Sequence, residues 1–140
     1  MNKSKRILWV EDDYTTIAAI MLPLEKNGIQ VIKVATYLEA KELVEKDRSF
    51  NLFLIDLILP YGDGKQGDDT LYGVELIRYI RNSLHLTTPI IVFSVVYDNA
   101  VTLELQTLGV EEKLQKGTFS NQDMRDRVEE KLCKDIAPRS

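Results

Sequence analysis

Apolar residues in this chain arrive in short unbroken runs, separated by longer stretches with helical spacing. Ile7-Leu8-Trp9-Val10 runs without a polar break into Glu11-Asp12-Asp13. A continuous apolar run bounded in this way reads as a strand buried on both faces, the signature of a parallel sheet. Ile29–Ala35, Leu52–Ile55, Pro89–Phe93 and a weaker run near Val110–Gln115 repeat the pattern. Between them, Tyr14–Asn27 places Ile17, Ile20, Met21 and Leu24 on one helical face, with Pro23 expected to kink the helix and Gly28 to stop it. Thr36 and Glu39 form a capping-box pair opening a helix to about Asp47. Val74, Ile77, Ile80 and Arg81 mark a third helix after Gly73, and a fourth spans about Asp98 to Leu108 before Gly109. A fifth begins near Ser120, paired with Asp123, and its buried stripe is Met124, Val128 and Leu132. Five alternations of strand and helix predict a doubly wound α/β fold, a parallel sheet with helices on both faces and right-handed crossovers. The irregular stretch Tyr61–Tyr72, rich in Gly and Asp, is expected to be an exposed loop, and Ala137–Ser140 to fray.

Length and composition narrow the picture only a little. A chain of 140 residues suits a single domain, with its core over about residues 6–132. The net charge of −4 and the scattered Lys and Arg give no field for nucleic acid or an anionic membrane. Cys133 is the sole cysteine, which fits a reducing compartment, and the run Ile7–Val10 is too short for a signal-peptide core or a membrane span. A cytoplasmic protein is therefore expected. His85, the single histidine, follows a helix in a polar stretch and is read as a surface residue.

The chemistry sits where strands end. In open parallel sheets, ligands bind beyond the carboxyl ends of the strands. Strand one ends in Glu11, Asp12 and Asp13, strand three in Asp56, strand four in Ser94, and strand five near Lys116. Clustered carboxylates repel one another, and a divalent cation removes that penalty. Oxygen donors without His or Cys select a hard ion, ordinarily Mg²⁺. A metal, a lysine and a hydroxyl together can hold a transferring phosphoryl group, leaving Asp56 as the nucleophile. Each residue alone has a plainer reading: Asp13 as a helix cap, Asp56 as a turn residue. The joint placement of one group on each of four strand ends carries the argument.

The segments ILWVEDD, LFLIDLILP, PIIVFS and LQKG, in that order and spacing, resemble the receiver domain of two-component response regulators over about Arg6 to Leu132. The resemblance implies a flavodoxin-like sheet of five strands in the order 2-1-3-4-5. It implies that Asp56 accepts a phosphoryl group from a phosphohistidine, that Asp12 ligates Mg²⁺ directly, and that Glu11 acts beside it. The backbone carbonyl of Ile58 would be a further ligand. Ser94 would be the switch hydroxyl, Lys116 the lysine that pairs with the phosphoryl group, and Pro60 the proline after the acceptor strand. The implied partners are a sensor histidine kinase or histidine phosphotransfer protein and a downstream protein, with a phosphorylation-dependent homodimer as one option. The chain would be a signalling domain that assists its own phosphorylation and dephosphorylation, not a turnover enzyme.

Four positions depart from the family pattern. Lys113 stands where an aromatic switch residue is usual, Gly117 replaces a cis-proline, Val95 follows the switch serine where a small residue is common, and the loop Tyr61–Tyr72 is long. Ile58 and Val96, both apolar, occupy positions that in the family help place or block the hydrolytic water. The long loop is read either as a partner or metal-access element or as a tolerated insertion. Two other functions compete. A degenerate receiver would bind partners without phosphorylation, and a phosphohydrolase of the haloacid dehalogenase type would need an acid where Ile58 stands. A flavin-binding domain would need a phosphate-cradling loop after strand one, which is missing. The acidic loop fails the EF-hand pattern because Val74 replaces the bidentate Glu.

Overall fold

The computed structural model describes residues 5–63, 71–94, 99–110, 112–115 and 117–136, with backbone alone at 14–17, 20 and 133–136. The elements alternate as β1 (Arg6–Val10), α1 (Tyr14–Lys26), β2 (Gln30–Val34), α2 (Tyr37–Lys46), β3 (Leu52–Asp56), α3 (Tyr72–Arg78), β4 (Ile90–Ser94), α4 (Asn99–Thr107), β5 (Glu112–Gln115) and α5 (Asn121–Ile136). The five strands pair in parallel in the order β2-β1-β3-β4-β5, which is the expected doubly wound sheet.

Strand periodicity divides the core in two. Leu8, Val10, Phe53, Ile55, Ile90 and Val92 pack with Ala40 and Val44 of α2, Val74 and Ile77 of α3, and Leu105 of α4. The alternate residues Ile7, Trp9, Leu52, Leu54, Ile91 and Phe93 pack with Leu24 of α1 and with Met124, Val128 and Leu132 of α5. Both faces of β1, β3 and β4 are thus covered, which is why those strands read as unbroken apolar runs.

Local chemistry sets most element boundaries. Thr36 caps α2 by accepting the Glu39 N–H at 3.1 Å, while Glu39 accepts the Ala35 N–H at 3.2 Å. Ser120 and Asp123 exchange a reciprocal pair of 3.0 Å bonds at the start of α5. Among the described residues of the weak fifth run, Glu112–Gln115 form a strand, where the partner β4 supplies hydrogen bonds. The helix α1 runs through Pro23 to Lys26. The third helix is shorter than its apolar spacing predicts, because it passes at Tyr79–Ser83 into a π-helical turn closed by the Leu84 N–H on the Tyr79 carbonyl. This turn lets Arg81 reach the carbonyls of Leu108, Leu86 and Thr88 at 2.7, 2.8 and 2.9 Å, tying the end of α4 to the entry of β4. His85 is exposed, as expected. The expectations for the side chains of Ile17, Ile20 and Cys133, for Asp98, for the tail and for residues 64–70 lie outside the described residues. Among the described residues, no helix is long and apolar enough to cross a membrane.

At the opposite end of the sheet from the acids, Arg6 joins three elements. Its guanidinium donates to Asp47 at 2.7 Å and lies 4.7 Å from the Phe50 ring centroid. Hydrogen bonds from Ser49 and then Arg6 hold the Asp47 carboxyl down to about 2. The folded-state value lies below the ordinary 3.8, so this stabilisation is present above pH 4 and is lost as pH falls toward 2. Asp47→Asn should cost about 1 kcal/mol at neutral pH, after discounting for solvent at this part-exposed pair. In urea melts the difference from the unsubstituted protein should close as pH approaches 2. A constant difference down to that pH would remove the electrostatic explanation.

Candidate functional site

The β1–β3 register pairs Val10 with Ile55, so one further step along both strands brings Glu11 beside Asp56. Both residues have the strand parity of Trp9 and Leu54, and both are buried. The Glu11 N–H donates to the Val34 carbonyl at 3.0 Å, extending β1–β2 pairing by one residue and fixing where its side chain starts. Asp12, the next residue, is exposed. One carboxylate oxygen from each of Glu11, Asp12 and Asp56 lies within 4.8 Å of the others. The structure therefore gathers three of the expected residues. Asp13 is exposed and is not part of that group; its N–H donates to Glu11 Oε2 at 3.3 Å.

Such a cluster fits a hard divalent cation. Its donors are all oxygen, it includes no His or Cys, and one member is open to solvent. At these separations, three anionic groups repel one another by several kcal/mol at an effective dielectric of about 20. An ion of charge +2 turns that repulsion into attraction, and partial exposure leaves room for the waters that Mg²⁺ retains.

Asp56 is held from its own turn. The Ile58 N–H donates to Asp56 Oδ1 at 3.1 Å, which leaves Oδ2 as the oxygen not engaged in that bond. Ser94, fully buried, immediately follows Phe93, the register partner of Asp56 on β4. Ser94 thus reaches the same end of the sheet on the adjacent strand. Lys116, Val95 and Val96 lie outside the described residues. Lys113 pairs in register with Val92 on β4 and is half-buried. Gly117 has a φ of 89°, the left-handed region that a glycine enters without strain. No peptide among the described residues is cis.

Two features of the site are not evident from the motifs. Gly73, read from sequence only as a marker before α3, is buried against the turn that follows Asp56, and its N–H donates to the Leu57 carbonyl at 2.9 Å. Tyr37, Tyr61 and Tyr72 form a cluster, with ring centroids 5.0 to 5.6 Å apart, that closes the two ends of the long loop onto α2. A glycine just inside a helix start, where no turn requires one, was the available signal for the first. The tyrosine cluster joins residues far apart in sequence and leaves no local trace.

Comparison with known proteins follows the same outline. Residues 7–129 match the family described as response regulator receiver domain. The chain is 30% identical over 112 residues to the transcriptional regulatory protein CrdR of Helicobacter pylori, covering 80% of this chain and 48% of that protein. It spans about half the length of that curated relative. A CheY-like receiver domain protein from Methanospirillum hungatei superposes with a TM-score of 0.78 at 26% identity, covering 95% of this chain and 97% of that one. A two-component response regulator from Clostridium difficile superposes at 0.76 and 20% identity over 96% of this chain and all of that one, a likeness of fold alone.

Proposed function

Because the chain belongs to the response regulator receiver domain family, we propose that it works as a phospho-accepting switch with Asp56 as the acceptor. The observation that carries this reading is the convergence of the Glu11, Asp12 and Asp56 carboxylates within 4.8 Å at the carboxyl end of the sheet. In the proposed step, a carboxylate oxygen of Asp56 attacks the phosphorus of a phosphohistidine. The P–O bond forms, the P–N bond breaks, and the imidazole leaves with the electron pair. Asp12, Asp56 and the Ile58 carbonyl would hold Mg²⁺, with Glu11 acting beside them. Bound there, the ion would supply positive charge against the oxygens of the transferring group. Ser94 would donate to one phosphoryl oxygen and Lys116 would pair with another. The phosphoryl donor would be a sensor kinase or phosphotransfer protein in the cytoplasm, and the output a changed surface over α4, β5 and α5 read by a downstream protein or a second copy. With Lys113 in place of an aromatic, that output would depend on Ser94 without a coupled ring rotation.

Incubation with a small-molecule phosphodonor and Mg²⁺ should add the mass of one phosphoryl group to the intact protein. No mass gain, or an equal gain in Asp56→Asn, would defeat the reading.

The same geometry bears on lifetime. Ile58 follows the acceptor by two positions and presents an apolar side chain that cannot orient an attacking water. The phosphoaspartate should therefore persist well beyond seconds, and Ile58→Asn, which can hydrogen-bond a water without taking its proton, should shorten its half-life by about tenfold, less than the roughly hundredfold or more that a positioned general base supplies. Radiolabel decay measures both. A half-life of a few seconds in the unsubstituted protein would contradict the prediction.

A further inference from the structure

The turn after Asp56 is gripped from two sides. On one side, the amides of Tyr37 and Leu38 at the start of α2 donate to the carbonyls of Pro60 and Tyr61, both at 3.0 Å. On the other, the returning end of the long loop runs beside the turn, with Leu71 bridged in parallel to Leu59. The Tyr72 ring then packs on both Tyr37 and Tyr61, at 5.5 and 5.0 Å between centroids. Immediately afterwards the backbone of Gly73 meets the acceptor strand. A Cβ on Gly73 would stand 2.1 Å from the Asp56 carbonyl oxygen and 2.5 Å from the Leu57 Cα. Both are backbone atoms, and neither can swing aside as a flexible side chain could.

We infer that Gly73 is a positioning residue for phosphoryl acceptance: its bare Cα and its N–H on the Leu57 carbonyl set the path of the Asp56–Ile58 turn, and through it the direction of the Asp56 carboxylate. The inference rests on the reading of Asp56 as acceptor. Any side chain at position 73 must push the Asp56–Leu57 peptide away from α3. Ile58 moves with that peptide, and the 3.1 Å bond from its N–H to Asp56 Oδ1 is the first contact to stretch. The carboxylate then loses its alignment with Glu11 and Asp12. Tyr72 is the buttress of the same contact, since its ring fixes where the chain enters α3. The base of the long loop is thereby mechanically joined to the reacting carboxylate.

Three variants test this. Gly73→Ala strikes the contact, Tyr72→Ala loosens its buttress, and Val74→Ala removes buried packing from the same helix while adding no atom at the backbone contact of Gly73. Two readouts are taken well below each variant's melting temperature. One is hydrogen exchange of the Ile58 amide in metal-free protein; the other is the rate of phosphorylation at saturating small phosphodonor and Mg²⁺. Gly73→Ala should speed exchange of the Ile58 amide and slow phosphorylation, each by at least about tenfold, the scale expected when a reacting group is misplaced by a fraction of an ångström or more. Tyr72→Ala should move both in the same direction by less. Val74→Ala should lower the melting temperature and leave both near the unsubstituted values. Wild-type exchange and rate in Gly73→Ala would overturn the inference, as would Val74→Ala slowing phosphorylation equally. If Gly73→Ala does not fold, unchanged values in Tyr72→Ala overturn it. If the unsubstituted protein takes no phosphoryl group but the Ile58 amide still responds to Gly73→Ala, the positioning contact stands and the acceptor reading falls.

Discussion

Asp56→Asn should abolish phosphoryl acceptance and, at the same time, make the metal-free protein more stable. The first effect follows because an amide oxygen is a far weaker nucleophile than a carboxylate. The second follows from charge. Asp56 lies with Glu11 and Asp12 inside 4.8 Å, with two of the three groups buried. Removing one anion relieves a repulsion of about 1–2 kcal/mol once solvent around exposed Asp12 is allowed for. For a domain of this size that is a rise of roughly 3–6 °C in melting temperature. On the proposed reading, Mg²⁺ should stabilise the unsubstituted protein instead, since it would bind the folded cluster and not the unfolded chain; at a hundred times its dissociation constant the gain would be about 2.7 kcal/mol. In Asp56→Asn that gain should shrink. A variant that melts lower than the parent without metal, and gains as much from Mg²⁺, would contradict the cluster as described.

The second large effect is structural. Phe93 is the register partner of Asp56 and packs edge-on against Trp9, with centroids 5.9 Å apart and planes at 77°. Both rings are essentially fully buried in the α1/α5 side of the core. Phe93→Ala should cost roughly 3–5 kcal/mol, combining lost transfer energy with the cavity it leaves. At about 3 °C per kcal/mol for a chain of this length, the melting temperature should fall by roughly 10–15 °C. Phe93→Leu, which keeps most of the volume, should cost less than half as much. Thermal melts followed by circular dichroism measure both. A loss below 1 kcal/mol for Phe93→Ala would mean that this face of the sheet is not packed as seen.

Much of the fold was legible because burial on both faces forces unbroken apolar runs. Ile7–Val10 and Leu52–Ile55 could be read as central strands, and so the ends where Glu11 and Asp56 stand could be read as neighbours. The capping pairs Thr36–Glu39 and Ser120–Asp123 were legible because each bond closes within four residues. What escaped the sequence depends on contacts between distant segments. The π-helical turn at Tyr79–Ser83 has no marker in the apolar spacing of Val74, Ile77 and Ile80. The need for glycine at position 73 arises from the backbone of Asp56 and Leu57, seventeen and sixteen residues earlier. The packing of Tyr61 and Tyr72 on Tyr37 depends on how the loop returns, which periodicity does not encode. Of the site itself, Glu11, Asp12 and Asp56 meet as the motif order predicts, and Ser94 reaches the same sheet end on the neighbouring strand.

The proposed transfer would leave the phosphoryl group covalently bonded to the Asp56 carboxylate, where chemical trapping can locate it. Borohydride reduces an aspartyl phosphate to homoserine, which marks the acceptor permanently. After incubation with a small phosphodonor and Mg²⁺, reduction and peptide mapping should find homoserine at position 56 and aspartate at 12, 13 and 63. Homoserine at any of those three positions, or a phosphoryl group recovered on His85 with Asp56 intact, would contradict the assignment.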